Sequence, residues 1–508
     1  MSGPRGMRIL TMTNIHLPDV GVTMALVASL QASLPDFGRI LDRFGHPAPA
    51  LRKLGLMHWE NGRFDTAARS FEAALSLAPE EPDLWRDLAS VYSASDRDEQ
   101  ALTAIRTSLD LDRNSAPSWQ ALASIADRLD AAETAEEAYR CTIALDPKAP
   151  AAHLGLGLLL FRKKHYQEAL AAVRASVEFD PVNGLAHFAL GHLSFIVCDF
   201  GACARAFDEA ARLTLELDAP TRQKRARAIT FQAMIEGRVR EALLAYDAIA
   251  GEDREDLDII ARDAFSVLSA SGHLEAAAEI GRMRLAEQPD DPVRRYLLDA
   301  VLGRSLEAAP TAYIETYFDL FAPQFDSKLT EALQYNAPCQ MAKLVAGHRT
   351  GFRHMLDLGC GTGLAAAELQ PLGENLTGLD LSAGMLAEAA KRGPYTELVK
   401  AEAGAYLAAT QSRFDLIFAA DSLIYFGDLK PLMRAAAGAL VPGGLFALSI
   451  ERAEGTGYTL QPSGRFAHSL DHLEDAAHDF VILETQESTI RLEAGRPVPG
   501  LYVVMRRR

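Results

Sequence analysis

Small and bulky apolar residues recur with a period of 34 residues along the first half of the chain. Where small residues face each other, two antiparallel helices can approach closely, while bulky side chains fill the gap to the next repeat. The pattern therefore predicts a solenoid of about seven helix pairs over residues 48–291. A short insertion follows the fifth repeat, after which the repeat pattern resumes. The first five sets are Gly55, Ala67, Phe71; Ala89, Ala101, Ile105; Ala123, Ala135, Tyr139; Gly157, Ala169, Val173; and Gly191, Cys203, Phe207.

This spacing is similar to that of a tetratricopeptide array, which implies a right-handed superhelix whose concave face binds partners. We expect an apolar groove in the fourth and fifth repeats. An unidentified protein or a carrier-bound substrate is one possible occupant, and internal cover by residues 20–47 or by the rest of the chain is the other. The inward positions are Leu154, Leu158, Phe161, Leu185, Phe188, Phe195 and Ile196.

Beyond residue 310 short apolar runs alternate with helical segments. Such alternation predicts a mostly parallel, seven-stranded sheet with helices on both faces. Helices are expected near 383–391, 402–409 and 429–440. The expected strands are 354–358, 376–379, 397–400, 414–419, 444–450, 480–486 and 501–505.

The first of these strands ends in a glycine-rich turn that contains Gly359, Gly361 and Gly363. Glycines let the backbone approach a ligand, and the helix that follows favours a negative group at its N-terminus. Asp380 ends the second strand, where a carboxylate can accept two hydrogen bonds from a ribose diol. The dinucleotide fingerprint requires glycine where this chain has Leu364, which disfavours a nicotinamide dehydrogenase.

The run from Asp357 to Gly363 resembles the first motif of class I S-adenosylmethionine-dependent methyltransferases, and the resemblance covers about residues 350–508. Three further motifs follow in order, at 379–386, at 414–417 with Asp421, and at 440–444. The whole chain also resembles bacterial methyltransferases that carry tetratricopeptide repeats. In those proteins a Gly-Arg-aromatic-Ala-His-Ser segment recurs, which here is 464–469.

The resemblance implies S-adenosylmethionine as the cofactor and assigns roles to matching positions. The three glycines would pass under the methionine part, Asp357 would help to hold its amino group, and Asp380 would bind the ribose. Asp421 would face the sulfonium side, with a helix cap as the alternative. The implied cofactor-binding residues are Asp357, Gly359, Gly361, Gly363, Asp380, Met385, Glu402, which replaces the commoner Asp beside the adenine, and Asp421.

Candidates for the acceptor side are Tyr425, Tyr458, Arg465 and His468. A guanidinium suits an acceptor that bears carboxylate or phosphate, and His468 could take a proton near neutral pH from a hydroxyl. The alternative is that Arg465 and His468 make hydrogen bonds between a lid and the core. No metal-ligand cluster is visible in the sequence.

Charge and cysteine content narrow the expected partners and compartment. The 508 residues contain 51 Lys and Arg against 68 Asp and Glu, and the net charge of −17 argues against nucleic acid or an anionic membrane. The five cysteines include no CxxC pair, which favours a reducing compartment. The N-terminus lacks an apolar run long enough to span a membrane, so a cytoplasmic protein is expected.

Taken together, these patterns predict a multidomain protein, an all-α solenoid followed by an α/β Rossmann-like domain. The expected function is transfer of a methyl group to an unidentified acceptor, with the array as a module that recruits the substrate or a protein partner. The alternative is an adaptor whose terminal domain binds the cofactor but catalyses methyl transfer only weakly. The expected divisions are a helical segment 1–47, the array 48–291, a helical connector and cofactor cap 292–345, and the methyltransferase domain 346–508.

Overall fold

The computed structural model describes two compact units. The first comprises the described residues up to 196 together with 202–217, and the second comprises 197–201 and 218–508. The described residues are 17–33, 35–213, 215–304, 306–322, 325–327, 336–411, 413–493 and 496–508.

The first unit consists of helices, and from the third helix onward they alternate in the pairs that the 34-residue period predicts. Proline occupies the first turn of the leading helix in each of the first four pairs, where its missing N–H leaves no hydrogen bond unmade. The helices are α1 (Val20–Ser33), α2 (Pro35–Phe44), α3 (Pro47–Glu60), α4 (Phe64–Leu77), α5 (Pro82–Ala94), α6 (Asp98–Leu111), α7 (Ala116–Arg128), α8 (Ala132–Leu145), α9 (Pro150–Arg162), α10 (Tyr166–Phe179), α11 (Gly184–Ile196) and α12 (Phe200–Arg212).

The turn between the two helices of a pair repeats with the same period. Gly62 has a positive φ of 70°, and four non-glycine residues at intervals of 34 adopt the same left-handed conformation. An L-residue in this region is strained unless its surroundings hold it. The identical turn is therefore imposed by the packing of the helices on both sides. These four residues are Asp96, Asp130, Lys164 and Cys198.

Close helix approach at the small residues is confirmed. A Cβ atom added to Gly157 would lie 2.5 Å from a methyl of Val173, and one added to Gly191 would lie 2.6 Å from the ring of Phe207. These glycines leave the space that the bulky residue of the second helix fills.

The predicted apolar groove is only partly open in the first unit. Leu158 is 40% exposed and Leu185 is 62% exposed, whereas Phe188 is half-buried. The ring of Phe188 lies edge-on to His192, with 4.6 Å between centroids, and 6.0 Å from Phe207. Part of this aromatic surface therefore packs within its own repeat, and Leu154, Phe161 and Phe195 are also half-buried.

The second unit begins with more helices of the array and continues without a break into the α/β domain. The array helices are α13 (Ala219–Ile235), α14 (Val239–Ala250), α15 (Leu257–Ala270) and α16 (Leu274–Glu287), which complete seven pairs counted from α3. They are followed by α17 (Pro292–Val301), α18 (Thr311–Phe321), α19 (Phe325–Ser327) and α20 (Ala337–His348).

The α/β domain alternates strands with helices, and all seven predicted strands are present. Its elements are β1 (Phe352–Leu358), α21 (Ala366–Leu369), β2 (Gly373–Asp380), α22 (Ala383–Arg392), β3 (Glu397–Lys400), α23 (Ala403–Ala409), β4 (Phe414–Ala419), α24 (Lys430–Ala439), β5 (Leu440–Arg452), β6 (Tyr458–Leu460), β7 (Phe466–His468), α25 (Leu470–Ala476), β8 (Phe480–Glu493) and β9 (Arg496–Arg507).

Strands β3, β2, β1, β4 and β5 lie side by side in that order and run parallel. Strand β9 pairs antiparallel with β5, and β8 pairs antiparallel with β9. Buried apolar side chains form one core cluster on each face of the sheet, as expected for a sheet covered by helices on both sides. The order reverses between β1 and β4, where open α/β sheets bind ligands.

The described sheet has nine strands, two more than predicted. The additional strands, β6 and β7, form a short hairpin, and β7 pairs with the carboxyl end of β5. Each contains only three residues, too few for an alternating pattern to be recognised.

Within the described ranges, no single helix combines the length and the apolar composition of a membrane span. Helices α1 and α2 satisfy that test only as a pair, with a bend of 117° between them.

The glycine at a helix contact should be intolerant of a side chain. We predict that Gly157→Ala lowers the free energy of unfolding by about 1–3 kcal/mol, because the added Cβ overpacks the contact with Val173. The matched control is Gly438→Ala in α24, where nothing lies within 4 Å of the added atom. The control should be neutral or gain up to about 1 kcal/mol. Urea unfolding followed by circular dichroism measures both, and equal shifts would contradict the contact.

Candidate active site

A cavity of about 440 Å³ opens at the carboxyl ends of β1, β2 and β4. Its wall includes the glycine turn after β1, the end of β2, the start of α23 and the loop after β4. Aromatic residues of α18 and α19 cover it, and two arginines, Arg465 and Arg491, line it. Most of the implied cofactor-binding residues therefore line one cavity. They are far apart in the sequence, since Asp357 and Asp421 are separated by 64 positions.

The glycine turn forms one wall of the cavity with left-handed backbone. Gly359, Gly361 and Gly363 have φ values of 75°, 55° and 83°. A Cβ on Gly359 would lie 2.5 Å from the Cβ of Ser422, and one on Gly363 would lie 3.0 Å from the ring of Tyr395. Gly361 has more room, since its nearest neighbour would be a ring carbon of Phe325 at 3.7 Å. Glycine is thus required at this turn by conformation and by space.

Asp380 connects the end of β2 to this turn. One carboxylate oxygen accepts a hydrogen bond from the N–H of Gly361 at 2.8 Å, and the other accepts from the N–H of Ser382 at 2.9 Å. Burial raises the pKa of this carboxyl group, and the backbone donors oppose that rise. The side chain lines the cavity, as the ribose-binding interpretation requires.

Asp357 lies at the end of β1 and is buried. The hydroxyl of Tyr395 donates to its carboxylate at 2.6 Å. Burial raises the pKa of Asp357 to about 7, and the nearby charge of Asp380 contributes to the rise. The neighbouring Cys360 is also buried, which raises the pKa of its thiol and favours a packing role for this residue.

Met385 and Glu402 also line the cavity, each at the start of a helix. The N–H of Met385 donates to the hydroxyl of Ser382, which caps α22. The carboxylate of Glu402 caps α23 by accepting from Gly404 at 2.8 Å and Ala405 at 2.6 Å. This capping role was not expected from the sequence. It orients the carboxylate of Glu402 beside the cavity.

Asp421 follows β4 and pairs with an arginine that the sequence interpretation missed. Its φ is +56°, and its carboxylate accepts from Arg491 of β8 at 2.9 and 3.2 Å. Arg491 also forms a salt bridge with Glu451, and both of these residues are buried. Asp421 therefore belongs to an ion-paired cluster, and the short 3-10 turn that follows, Leu423–Tyr425, has Ser422 and not Asp421 at its N-cap position. Arg491 lies 70 positions from Asp421 in the sequence, and no recognisable motif surrounds it, so no sequence pattern identifies it.

Tyr425, Arg465 and Asp421 line the cavity, and the charges of Arg465 and Asp421 both act on the hydroxyl of Tyr425. Tyr425 is buried, which raises the pKa of its hydroxyl, while the guanidinium of Arg465 opposes the rise. The ring of Phe318 stands edge-on to Tyr425, with 5.7 Å between centroids. These contacts bring two of the four predicted acceptor-side residues together.

His468 does not line the cavity, which corrects the position expected for it. The ring is fully buried, and Nε2 lies 2.7 Å from the carbonyl oxygen of Phe426 and 3.2 Å from that of Gly427. Carbonyl oxygens accept, so Nε2 carries the proton. Burial lowers the pKa of His468 to about 4. The ring therefore holds the loop after β4 to the hairpin, the alternative considered above, and Tyr458 packs beside it against His472.

Helices α18 and α19 are tied to the cofactor side of the cavity by carboxylates that the sequence interpretation did not single out. Asp319 accepts from the hydroxyl of Ser382 and from the N–H of Gly384. Asp326 accepts from the hydroxyl of Thr362 and forms a salt bridge with Arg392. These links hold a set of aromatic rings over the glycine turn, namely Tyr317, Phe318, Phe321 and Phe325.

Comparison with known proteins agrees with this architecture. Residues 356–448 match the methyltransferase domain family, and 58–125 and 121–184 match tetratricopeptide repeat families. The chain thus contains a methyltransferase domain and tetratricopeptide repeats.

Among curated proteins, trans-aconitate 2-methyltransferases of Paracidovorax citrulli and Delftia acidovorans are 34% identical over 128 residues and 32% identical over 130 residues. These matches cover 24% and 25% of this chain, and the chain spans about half the length of these relatives, 49% and 48%. Among solved structures, the N-methyltransferase NodS of Bradyrhizobium japonicum, in complex with S-adenosyl-L-homocysteine, is 19% identical with a TM-score of 0.29, covering 34% of this chain and 85% of that one.

The lowered pKa of His468 predicts a pH dependence of stability. Between about pH 6.5 and 4 the unfolded chain binds more protons at this histidine than the folded chain does. The contribution of His468 to stability is therefore fully present above this window and is lost as the pH falls through it. The loss should reach about 3 kcal/mol, from a pKa lowered from 6.5 to about 4. We expect His468→Asn to flatten the dependence of Tm on pH, measured by thermal melting from pH 7.5 to 4.5. The exposed His478→Asn is the control, and an unchanged slope in His468→Asn would assign the effect elsewhere.

Proposed function

We propose that this protein is an S-adenosylmethionine-dependent methyltransferase that transfers the methyl group to a carboxylate-bearing acceptor. The observation that carries the proposal is the placement of Asp380, whose carboxylate joins the glycine turn inside the cavity. The match of residues 356–448 to the methyltransferase domain family supports the same conclusion.

The residues at the glycine turn fit the cofactor. The carboxylate of Asp380 accepts one backbone N–H on each oxygen and has lone pairs left for a ribose diol. The buried hydroxyl oxygen of Ser422 has no hydrogen-bond partner among the described residues, and it lies beside Gly359. The acidic side chains Asp357 and Glu402 suit a ligand with positive charge. The chemistry that S-adenosylmethionine supplies when bound is a methyl group activated by its sulfonium.

The charges along the cavity favour an anionic acceptor. Asp357, Asp380 and Glu402 line one part, whereas both arginines of the lining, Arg465 and Arg491, lie with Asp421. A guanidinium binds a carboxylate through two parallel hydrogen bonds, which orients it. The curated relatives are named for trans-aconitate, an acid with several carboxylates. We therefore infer that Arg465 orients a carboxylate of the acceptor.

A carboxylate acceptor also agrees with the side chains available for proton transfer. A carboxylate oxygen carries no proton to lose on methylation, so the reaction needs no general base. The cavity lining, among the residues that the structure describes, contains neither histidine nor lysine. The remaining task is alignment of the acceptor oxygen with the methyl group in a cavity lined by Tyr425 and the aromatic rings of α18.

The repeat array is proposed to recruit the substrate or a protein that carries it. Matches to tetratricopeptide families at 58–125 and 121–184 support a module for protein interaction. The exposed part of the groove, at Leu158 and Leu185, is the proposed contact surface.

Cofactor binding should depend on Asp380. We predict that the protein binds S-adenosylmethionine and S-adenosylhomocysteine, and that Asp380→Asn weakens both by about 10- to 100-fold, because a charged hydrogen bond contributes about 1.5–3 kcal/mol. Titration calorimetry measures the affinities. The matched control is Glu374→Gln, an exposed carboxylate at the other end of β2. Absence of heat with either nucleotide would reject the cofactor, and binding of NAD instead would favour a dehydrogenase.

Methyl transfer to trans-aconitate should depend on Arg465. We predict that Arg465→Gln reduces transfer of labelled methyl by about 10-fold or more while the affinity for S-adenosylhomocysteine stays unchanged, because a bidentate charged contact to the acceptor is lost. Arg452→Gln, which removes an exposed guanidinium at the end of β5, is the control. Equal loss of cofactor affinity and transfer would assign Arg465 to the cofactor. Cofactor binding without transfer to any carboxylic acid tested would favour the adaptor function.

A further inference from the structure

A tyrosine of α17, the helix that follows the array, bonds directly to the hairpin that carries Arg465. The hydroxyl of Tyr296 donates to the carbonyl oxygen of Gly464 at 2.8 Å, across 168 positions of sequence. Tyr296 is 2% exposed, so this hydroxyl has no access to bulk water. Leaving a buried hydroxyl or a buried carbonyl without a hydrogen-bond partner destabilises the folded protein. The bond is therefore a strong local constraint.

The hairpin tip is a tight turn that is closed by its own backbone hydrogen bonds and contacts Tyr296. The N–H of Gly464 donates to the carbonyl of Gln461 at 2.9 Å, and the N–H of Gln461 donates to the carbonyl of Arg465 at 2.7 Å. Gly464 has a φ of +77°, and a Cβ there would lie 3.3 Å from the hydroxyl of Tyr313 and 3.5 Å from the ring of Tyr296. The tip is therefore pressed against α17 and α18, and the next residue, Arg465, lines the cavity.

The segment after α17 also holds the other acceptor-side residue. The N–H of Ala309 donates to the carbonyl of Tyr425 at 2.9 Å, and the N–H of Gly427 donates to the carbonyl of Glu307 at 2.8 Å. Ala308 and Ala309 themselves line the cavity. The wall of the cavity around Tyr425 and Arg465 is thus built partly from residues that precede the α/β domain.

We propose that Tyr296 is a positioning residue for the acceptor: its hydroxyl fixes the hairpin tip so that the guanidinium of Arg465 is held toward the cavity. The proposal rests on the proposed function, because it assumes that Arg465 orients the acceptor. It adds that α17, the helix that follows the array, sets the geometry of acceptor binding without touching the acceptor. The cofactor contacts of Asp380 and Glu402 involve other elements, so they should not respond to Tyr296.

The test compares Tyr296→Phe, which removes the hydroxyl and keeps the ring, with Tyr246→Phe. Tyr246 is a fully buried tyrosine of α14 whose hydroxyl donates to Glu255 at 3.3 Å, away from the cavity. In Tyr296→Phe we expect amide hydrogen exchange of a peptide over 458–468 to accelerate about three- to tenfold, as expected for loss of one buried hydrogen bond. The affinity for S-adenosylhomocysteine should stay unchanged in both variants.

A double-mutant comparison asks whether Tyr296 acts through Arg465. With trans-aconitate as the probe, Tyr296→Phe should raise its KM about three- to tenfold with little change in kcat. In the Arg465→Gln background the same change should add nothing. An equal effect in both backgrounds, or unchanged exchange at the hairpin tip, would overturn the proposal.

A second readout needs no acceptor and separates this proposal from the proposed function. The rate at which p-hydroxyphenylglyoxal modifies Arg465, followed by peptide mass spectrometry, should change in Tyr296→Phe and not in Tyr246→Phe, with Arg452 as the internal reference. If the wild-type protein transfers no methyl group, the proposed function fails, while exchange and modification rates still decide whether Tyr296 positions Arg465. Unchanged modification of Arg465 would reject the positioning role, as unchanged exchange at the hairpin tip would.

Discussion

The candidate site depends on burying carboxylates without leaving them unsatisfied. A carboxylate removed from water is costly unless donors surround it, and Asp380 meets this requirement with the backbone amides of Gly361 and Ser382. The same two bonds tie the turn after β1 to the start of α22, so the conformation of the turn and the position of the helix follow from one side chain. Asp357 is satisfied by Tyr395 but keeps a raised pKa, which means that its ionised form is held at a cost in stability.

The ion pairs around Arg491 follow a different principle. Arg491 is buried between Asp421 and Glu451, and a buried ion pair of this kind contributes little net stability because desolvation offsets attraction. Its effect is geometric: three charged groups from β5, β8 and the loop after β4 hold one another in fixed orientations. The left-handed conformation of Asp421 is consistent with this, since strain of that kind persists only where neighbours determine the position.

Much of this architecture could be predicted because it is encoded locally. The helix pairs follow from contacts within one repeat, such as Gly157 against Val173, and the strands from continuous apolar runs. The glycine turn and Asp380 lie 21 residues apart or less and carry a recognisable spacing. Arg491 and the burial of His468 could not be predicted, because both depend on which distant strands become neighbours. The hairpin of β6 and β7 was missed for the same reason, since β7 is stabilised by pairing with the distant β5 and β6 by pairing with β7.

The segment from Leu306 to Ala309 limits where the α/β domain can be joined to a different helical array. Its backbone pairs with the loop after β4, through Ala308 beside Phe426 and Ala309 beside Tyr425. An exchange of gene segments that joined the α/β domain to another array at residue 346 would discard this strip and expose the wall it completes. A junction upstream of α17 would keep it. A junction that preserves this wall therefore lies upstream of Leu306, so that the strip is inherited together with the sheet.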